Sequence, residues 1–469
     1  MTSVWPLKFR SLNQDFIISD DAGGFFKGDA AFIDRYAHET LNDQDFTFLR
    51  RNGHSFEEEG DLSWTSFAYR WSRRQSVSAS VGYVILVPTL RCNLACSYCQ
   101  VSRAPETARG FDWSDETLAA ALDFLGSLET KSIKIEFQGG EPLLRVDLLE
   151  KVRAFCQQKF EASQFVVCTN LQHLTEREWA FLADDDTFIS TSVDGDWKTH
   201  ELQRTRNPKT TKAFFDNLEE AVRRFPEGKV SALPTIDVNN PPDLGELIDN
   251  FESYGIRSIY LRPINFQGFA RKLKHGSSPI DRWNNIYSAF INQIVARNFE
   301  TKSVVEEYYF SQSLKRILRM GADQHVDLRN PNFFAADYLV IDYDGSLYPT
   351  DEARMLSRVG RVDLSIGSLS SGLDVEKIAL LNGSSLNNFD PDCIHCAYQP
   401  FCGSDLVDDL SRYGRIDLPR HETWFCKRHT AIFDKAFEYL YSDDEAIQFS
   451  VGQWLGIPSW TPDMVQVHS

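Results

Sequence analysis

Two adjoining stretches decide the fold of this chain: YVILVPTL at residues 83–90 and RCNLACSYC at residues 91–99. The first is a short apolar run, which is typical of a buried β-strand. The second follows it directly and carries three thiols, on Cys92, Cys96 and Cys99. In α/β proteins the reacting groups sit on loops at the C-terminal ends of strands. The three thiols therefore lie where a catalytic loop is expected.

The spacing of these cysteines indicates a metal centre. Three thiolates can hold three irons of a [4Fe–4S] cubane and leave the fourth iron open to a ligand. The alternatives are a zinc site or three buried thiols, but zinc normally takes a fourth Cys or His, and none is close in sequence. We therefore expect Cys92, Cys96 and Cys99 to ligate a [4Fe–4S] cluster.

From about residue 83 to residue 265, short apolar runs alternate with helical patterns. The runs lie at residues 83–90, 133–137, 165–169, 187–192, 229–236 and 258–263. Six βα units predict a parallel sheet with right-handed crossovers, either open or closed into a partial (β/α)6 barrel.

The predicted division of the chain has four parts. Residues 1–80 form a small α+β module, with two strands in DFIISDDAGGFFKGD (15–29) and two helices, the second stopped by Gly53. Residues 81–270 form the βα domain. Residues 271–335 form a helical linker with helices at 282–298 and 304–320. Residues 336–469 start with an extended segment at 337–349 and form a cysteine-rich domain.

Composition excludes several classes of function. The net charge of −18 argues against a nucleic-acid partner, since phosphates need a cationic face. No apolar run approaches the 18 or so residues of a membrane span, and MTSVWPLKFR lacks the apolar core of a signal peptide. We expect a cytoplasmic protein. In that reducing compartment the clustered thiols among the nine cysteines are expected to bind metal in preference to forming disulfides.

The C-x3-C-x-aromatic-C spacing, with Tyr98 as the aromatic residue, resembles the signature of radical SAM enzymes. That resemblance implies S-adenosylmethionine as the ligand of the open iron. Two further stretches match family motifs. The first is Gly139-Gly140-Glu141-Pro142, which matches the GGEP motif. The second is a Ser-x-Asp-Gly stretch that contains Ser192 and Asp194 and is followed by Arg204.

The resemblance gives these residues roles. Gly139 and Gly140 would let the backbone approach the ligand closely, and Glu141 would accept hydrogen bonds from the methionine ammonium. Ser192 and Asp194 would face the ribose or the methionine end. Arg204 would hold the methionine carboxylate in its planar fork. The alternative for each motif is an ordinary polar turn.

A second group of cysteines, Cys393, Cys396, Cys402 and Cys426, could close a complete [4Fe–4S] cluster. Structural zinc, with His395, His421 and His429 as spare ligands, is the alternative. The spacing resembles the SPASM extension, in which two auxiliary clusters use seven cysteines. Two of those positions are here Thr350 and Leu406. We therefore expect one auxiliary cluster and two clusters in all. Cys156 and Cys168 are expected to be packing residues.

Over nearly its whole length the chain resembles the B-type radical SAM maturase of the His-Xaa-Ser peptide system, in stretches such as IKIEFQGGEPLLR and FDPDCIHCAYQPFCGSD. The resemblance implies hydrogen abstraction from a ribosomally made precursor peptide with His-Xaa-Ser repeats. It also implies a sister radical SAM maturase, small accessory proteins and a reductant such as flavodoxin or ferredoxin as partners. The N-terminal module resembles winged-helix leader-recognition domains, which take a leader peptide as an added strand; a plain capping domain is the alternative.

A crosslink is the favoured product. Epimerisation, with Cys168 as the hydrogen donor, is an alternative. Two further alternatives remain. One is a sulfatase-type maturase that oxidises Cys or Ser, and the other is a non-catalytic iron–sulfur protein that binds the leader peptide for another maturase. The resemblance as a whole predicts an α/β protein with a partial radical SAM barrel, a winged-helix-like N-terminal module and a SPASM-like iron–sulfur domain at the C-terminal end.

Overall fold

The N-terminal module is a three-stranded antiparallel sheet with three helices. The computed structural model describes residues 3–75, 80–172, 174–265, 267–272, 280–319, 328 and 332–468. The strands are β1 (Leu7–Leu12), β2 (Asp15–Asp20) and β3 (Phe25–Gly28), in the order β1-β2-β3, and the helices are α1 (Ala30–Ala37), α2 (Asp43–Arg51) and α3 (Leu62–Gln75). A two-residue pair, Ser3–Val4 with Ser55–Phe56, closes one side.

The predicted strands and helices of this module are present. Asn42 and Asp45 form a capping box at the start of α2, and Gly53 at φ +79° lies just beyond its end. The sequence patterns missed β1 and α3. The N-terminal module has a small apolar core of its own around Phe26, Phe32 and Leu49.

A seven-stranded sheet forms the centre of the chain. The elements of the central domain are β4 (Tyr83–Leu86), α4 (Asp115–Gly126), β5 (Ser132–Phe137), α5 (Val146–Lys159), β6 (Ala162–Cys168), α6 (Glu176–Leu182), β7 (Thr187–Ser192), α7 (Pro208–Arg224), β8 (Val230–Leu233) and α8 (Leu244–Ser253). The strands β4 to β8 pair in parallel, in the order β8-β7-β6-β5-β4. This is the α/β arrangement that the alternating apolar runs predicted.

The sixth predicted strand does not join this sheet. Residues Ser258–Ile259 pair in parallel with Glu306–Glu307, and Arg262–Pro263 pair in parallel with Thr235–Ile236. Instead, β9 (Tyr338–Ile341) pairs in parallel with β4, and β10 (Leu347–Tyr348) pairs antiparallel with β9 at the sheet edge. The segment at 337–349, predicted only as extended, thus completes the sheet.

The helices cover one face of the sheet. Alternate residues of the strands, such as Ile133, Ile135 and Phe137 on β5, belong to one large buried cluster with apolar residues of the helices. The residues between them, such as Glu136, lie on the opposite face, which we call the inner face. Because successive residues of a strand alternate between faces, the position of the core decides which side chains reach the inner face.

The rest of the chain is largely helical. Its helices are α9 (Ile280–Thr301), α10 (Tyr308–Leu318), α11 (Asp351–Arg358), α12 (Val375–Gly383), α13 (Leu406–Tyr413), α14 (Trp424–Leu440) and α15 (Glu445–Leu455). Gly367–Ser368 and Gly372–Leu373 form a small hairpin. The helices predicted at 282–298 and 304–320 correspond to α9 and α10; residue 320, the end of the second, lies outside the described residues. Within the part of the chain that the structure describes, no helix is long and apolar enough to cross a membrane.

The N-terminal module packs on the loop between Cys396 and Cys402. Lys8 Nζ donates to Gln399 Oε1 over 2.7 Å, Ser19 Oγ donates to the carbonyl of Ala397 over 2.6 Å, and Arg74 donates to the carbonyl of Pro400 over 3.2 Å. The first and last parts of the chain are therefore neighbours in the fold.

Candidate functional site

The loop that follows β4 carries the three clustered cysteines. Its first residues, Arg91–Cys92, pair in parallel with Ala104–Pro105. Two N–H groups point at the Cys92 sulfur: the backbone of Leu94 at 3.4 Å and the Asn170 side chain at 3.7 Å. N–H groups directed at a ligand sulfur are among the protein's means of tuning an iron–sulfur cluster.

Gly139 and Gly140 pack against the backbone that leads into the cysteine loop. A Cβ on Gly139, which has φ +120°, would lie 2.2 Å from the carbonyl oxygen of Thr89, and one on Gly140 would lie 2.2 Å from that of Arg91. The Gly140 N–H donates to Thr89 O over 3.0 Å. These two glycines thus permit a close approach between two stretches of this chain. The approach to the ligand that the motif predicts stays a prediction. Pro142 begins a short turn, Pro142–Arg145.

Glu141 is buried beside the Cys92 loop. Its backbone N–H donates to Arg91 O over 2.8 Å. Its carboxylate accepts from the N–H of Leu143, the hydroxyl of Thr169 and the N–H of Asn170, at 3.1, 2.8 and 2.8 Å. Burial raises the pKa of Glu141 to about 7, although these donors and Arg204 oppose the shift.

Tyr98, Asp194 and Arg204 form one buried network. The Tyr98 hydroxyl donates to Asp194 Oδ2 over 2.6 Å and accepts from the Arg204 guanidinium, which also lies 3.9 Å from Asp194. Asp194 accepts from the Thr235 N–H over 3.1 Å, and burial raises its pKa. The predicted ligand contacts of Asp194 and Arg204 remain predictions; in this structure both groups bind Tyr98, so they also position the cysteine loop.

The remaining predicted residue, Ser192, ends β7 and is half-buried opposite Leu233 of β8. Thr169 and Asn170, at the end of β6, have a role that the sequence patterns did not reveal: they hold Glu141 and, through Asn170, face Cys92. Their position at a strand end was the available signal.

The inner face of the sheet carries a thiol–carboxylate pair. Glu136 accepts hydrogen bonds from the Tyr83 hydroxyl at 2.6 Å, the Gln138 amide at 2.5 Å and the Cys168 thiol at 3.3 Å. Burial, and then the negative charge of Glu136, raises the pKa of Cys168 well above its usual value. Cys168 is the last residue of β6 and precedes Asn170, whose side chain faces Cys92, by two residues. The expected packing role of Cys156 fits its full burial in the core, but Cys168 is half-buried and has a polar partner.

The three loop thiols interact with one another electrostatically. Burial raises the pKa of Cys92 to about 12, with further contributions from Glu141, Cys96 and Cys99. Burial also raises the pKa of Cys96. A bound metal deprotonates its thiol ligands outright, so a metal cation or a cluster of them is a suitable counter-charge for such a group of buried thiols. The residues present fit three ligands of a cluster.

The second group of thiols also converges. Cys393, Cys396 and Cys402 lie on consecutive turns, and Cys426 lies in the first turn of α14, which Thr423 caps. Burial raises the pKa of Cys402 well above its usual value, and the other three thiols raise it further. These four residues fit the closed ligand set of one cluster.

Two of the three histidines offered as zinc ligands, His421 and His429, have other partners. His429 Nε2 bonds to the Tyr309 hydroxyl and its Nδ1 lies 2.8 Å from Phe425 O, while His421 Nδ1 lies 3.1 Å from Asp392. Among the described residues, no three Cys, His, Asp or Glu side chains converge closely enough to hold a single metal ion; a four-iron cubane needs thiolates spread more widely. Thr350, at a position that is cysteine in the full SPASM pattern, instead caps α11, and Leu406 packs in a small apolar core.

The fold and these two groups of thiols define a class of protein: α/β proteins that hold an iron–sulfur cluster on the loop after the first strand of a parallel sheet. Residues 86–251 match the family model of the Radical SAM superfamily. The chain therefore contains a radical SAM domain, and the enzyme class predicted from the cysteines is confirmed for that domain. The cofactors of this superfamily are a [4Fe–4S] cluster and S-adenosylmethionine, as predicted.

Known proteins resemble the chain in part. An uncharacterized protein of Methanocaldococcus jannaschii is 29% identical over 180 residues, which are 38% of this chain and 60% of that relative. The chain thus spans about 60% of the curated relative's length. Among solved structures, native anSMEcpe with bound AdoMet has 16% identity and a TM-score of 0.57, over 76% of this chain and 96% of that one. Streptococcus suis SuiB bound to precursor peptide SuiA has 12% identity and a TM-score of 0.50, over 91% and 100%. At such identities these structures confirm the fold alone.

Proposed function

We propose that this protein is a radical SAM enzyme that removes hydrogen from a ribosomally made precursor peptide of the His-Xaa-Ser type and installs a crosslink. The observation that carries the proposal is the arrangement around Cys92. Three thiols, the buried Glu141 and the Tyr98–Asp194–Arg204 network meet at the C-terminal edge of the sheet. The resemblance of the sequence to that maturase family supports the His-Xaa-Ser substrate. The likeness in fold to SuiB bound to its precursor peptide supports only the coarser point that the substrate is a precursor peptide.

In this mechanism the residues of the chain hold the cluster and orient S-adenosylmethionine. Cys92, Cys96 and Cys99 would ligate the cluster, and the N–H groups of Leu94 and Asn170 face the Cys92 sulfur. Glu141 is positioned to accept from the ammonium of S-adenosylmethionine, and Arg204 to pair with its carboxylate. The chemistry supplied by the bound cluster and S-adenosylmethionine is reductive cleavage to methionine and a 5′-deoxyadenosyl radical. Residues on the inner face would then surround the peptide carbon from which hydrogen is taken.

Cys393, Cys396, Cys402 and Cys426 would hold one auxiliary cluster with no open iron. Such a site passes electrons or stabilises the fold and does not bind the peptide directly. The proposed partners are a sister maturase, small accessory proteins and a reductant such as flavodoxin or ferredoxin. We also propose a cytoplasmic location, which the nine free cysteines support.

The first experiment measures 5′-deoxyadenosine formed by the reduced, reconstituted protein with S-adenosylmethionine. We expect formation by the wild type, loss in Cys92→Ala, and retention in the matched control Cys156→Ala, whose thiol is buried in the core. If the wild type forms none with or without peptide, a non-catalytic iron–sulfur protein is the correct description. Iron analysis adds the cluster count: about eight irons per chain for two filled cubanes, against about four with one zinc.

Mass spectrometry of the co-expressed peptide identifies the reaction. A crosslink removes about two mass units per event. One hydrogen atom leaves on 5′-deoxyadenosine, and the second leaves as a proton whose electron would pass to an oxidised iron–sulfur cluster of the protein. Fragmentation spectra could instead show a single oxidised Cys or Ser residue and no crosslink to the His residues or the backbone. That result would point to a sulfatase-type maturase.

Epimerisation is a second candidate, and the Cys168–Glu136 pair favours it. A thiol whose pKa is raised keeps its S–H, and the S–H can give a hydrogen atom to a carbon radical on the inner face. The thiyl radical left on Cys168 would regain one electron from the external reductant and one proton from solvent. In D2O this reaction adds about one mass unit per event, since the thiol exchanges with solvent. It should disappear in Cys168→Ala while 5′-deoxyadenosine still forms.

A further inference from the structure

Two cations of strand β1 face the second group of thiols. Lys8 and Arg10 are two positions apart on β1, so their side chains lie on the same face of the strand. This face is directed at residues 396–402, which we call the auxiliary loop. Lys8 is 7% exposed, and its Nζ donates to Gln399 Oε1 over 2.7 Å and pairs with Asp21 at 2.6 Å. A positive charge buried this deeply is screened only weakly by water and salt.

Arg10 lies between the auxiliary loop and α14, the helix whose first turn contains Cys426. Its guanidinium donates two hydrogen bonds to the carboxylate of Asp434 on α14, over 2.6 and 2.8 Å. The centre of the Tyr398 ring lies 5.5 Å from the guanidinium carbon, and the Tyr398 hydroxyl donates to Asp434 over 2.6 Å. These contacts fix the charge of Arg10 beside two of the segments that carry the thiols.

The same module holds the backbone of the auxiliary loop. Ser19, the partner of Lys8 across β1 and β2, donates its hydroxyl to the carbonyl of Ala397 over 2.6 Å. Backbone N–H groups of the auxiliary loop are in turn directed at the Cys396 sulfur. Both the charge around an iron–sulfur cluster and the hydrogen bonds to its sulfurs set its reduction potential. The N-terminal module therefore contributes to both.

The thiols respond to these two cations. Burial raises the pKa of Cys396, and the positive charges of Arg10 and Lys8 are among the influences that oppose this rise. Burial also raises the pKa of Cys426, and Arg10 is one of the groups that oppose it. A cation that stabilises a thiolate also stabilises added negative charge on a cluster that the thiolate holds.

We propose that Lys8 and Arg10 raise the reduction potential of the cluster held by the second group of thiols, so that this auxiliary cluster accepts an electron from the peptide. Four thiolates give a [4Fe–4S] cluster a net negative charge, and reduction adds one more. Cations fixed beside the ligands therefore favour the reduced state. Lys8 and Arg10 act through the cluster, so they are positioning residues and not catalytic ones.

This role supplies the electron acceptor that crosslinking requires, and to that extent it rests on the proposed function. After one hydrogen atom has left on 5′-deoxyadenosine, the peptide radical forms the new bond and loses one electron to the auxiliary cluster and one proton to solvent. The electron can then return to the cluster on the Cys92 loop, which has given one electron to S-adenosylmethionine. Electrons therefore balance over one turnover without an external oxidant.

The first test measures the reduction potential of the auxiliary cluster by a redox titration followed with electron paramagnetic resonance. The full-length chain is used without its three loop thiols, so that only the auxiliary cluster gives a signal; the substitutions are Cys92→Ala, Cys96→Ala and Cys99→Ala. Arg10→Gln in this background should make reduction at least about ten-fold less favourable, which corresponds to about 59 mV for one electron. Lys8→Gln should also lower the potential, since it removes the second cation.

Opposite shifts separate an electrostatic role from a structural one. Asp434→Asn removes the negative charge that faces Arg10, so it should raise the potential, whereas loosening of the site would shift it in the same direction as Arg10→Gln. Arg50→Gln is the matched control, because Arg50 is an exposed cation of α2 that pairs with Glu57; it should leave the potential unchanged. Equal potentials in Arg10→Gln and Arg50→Gln, shifts of the same sign in Arg10→Gln and Asp434→Asn, or no cluster signal in the loaded chain would each overturn the inference.

Turnover separates this inference from the proposed function. In the complete enzyme, the amount of crosslinked His-Xaa-Ser peptide per 5′-deoxyadenosine should fall several-fold in Arg10→Gln and stay unchanged in Arg50→Gln. A normal ratio in Arg10→Gln would refute the role of the cations and leave the crosslinking function standing. If the wild type forms no crosslink, the proposed function fails, while the potentials of the variants still decide whether Lys8 and Arg10 act on the cluster.

Discussion

Gly140→Ala is the sharpest test of how the cysteine loop is held. An alanine Cβ at this position would lie 2.2 Å from Arg91 O and 2.4 Å from Leu90 O. Both contacts are with backbone, which cannot rotate away. Since Cβ atoms essentially never come within 3.0 Å of another heavy atom, the two stretches must separate by at least about 0.8 Å.

The energetic consequence follows from packing and hydrogen bonding. Overpacking of this kind costs about 1–3 kcal/mol. The separation also stretches the bonds from Gly140 N to Thr89 O and from Glu141 N to Arg91 O, each worth about 1 kcal/mol. We expect a total loss of about 3–5 kcal/mol in the free energy of unfolding, together with displacement of Cys92. A misplacement near 1 Å can lower turnover by about 100-fold.

The assay compares Gly140→Ala with Gly82→Ala. Gly82 lies just before β4, and its added Cβ would make only ordinary contacts, the nearest at 3.7 Å. Denaturant unfolding of the apo-protein, iron content and 5′-deoxyadenosine formation should all fall in Gly140→Ala and stay near wild type in Gly82→Ala. Wild-type iron content and turnover in Gly140→Ala would refute the reasoning, because the clash would then have been relieved without moving the loop.

Three further predictions concern single side chains. Tyr98→Phe removes the hydroxyl that links Asp194 to Arg204; we expect an apparent KM for S-adenosylmethionine raised by about ten-fold, measured by steady-state kinetics, and an unchanged KM would contradict the link. Burial raises the pKa of Glu141 to about 7, so the native state binds this proton more tightly than the unfolded state does. The stability that Glu141 contributes is therefore present below about pH 4.5 and is lost as the pH rises to about 7. Glu141→Gln should remove about 3 kcal/mol of that decline in apo-protein denaturation curves, and parallel curves for the two proteins would refute the assignment. Cys402→Ala should lower the iron content to about four per chain while 5′-deoxyadenosine still forms, and loss of all iron would show that the two sites do not load independently.

Much of the fold followed from local patterns. The apolar runs at 133–137, 165–169 and 187–192 became strands β5, β6 and β7 because each is short, apolar and followed by a helix. The run at 258–263 looked equally good but forms only two short pairs outside the main sheet. The place beside β4 is taken by β9, from about 250 residues further on. Pairing of such distant segments depends on the whole core and leaves no local signal.

For the site, the sequence by itself predicted which groups carry the chemistry. Spacing singled out the thiols of Cys92, Cys96 and Cys99, and the Gly-Gly-Glu-Pro motif after a strand singled out Glu141. Only the tertiary structure decided how these groups are held: that Gly140 packs on the backbone of Arg91, that Tyr98 joins Asp194 to Arg204, and that Glu136 and Cys168 meet on the inner face. The bridge between Lys27 of β3 and Val467 is the extreme case, since these two residues are separated by more than 400 positions. A local pattern records which side of a strand or helix a residue takes. The partner across a contact is fixed only when the whole chain has packed.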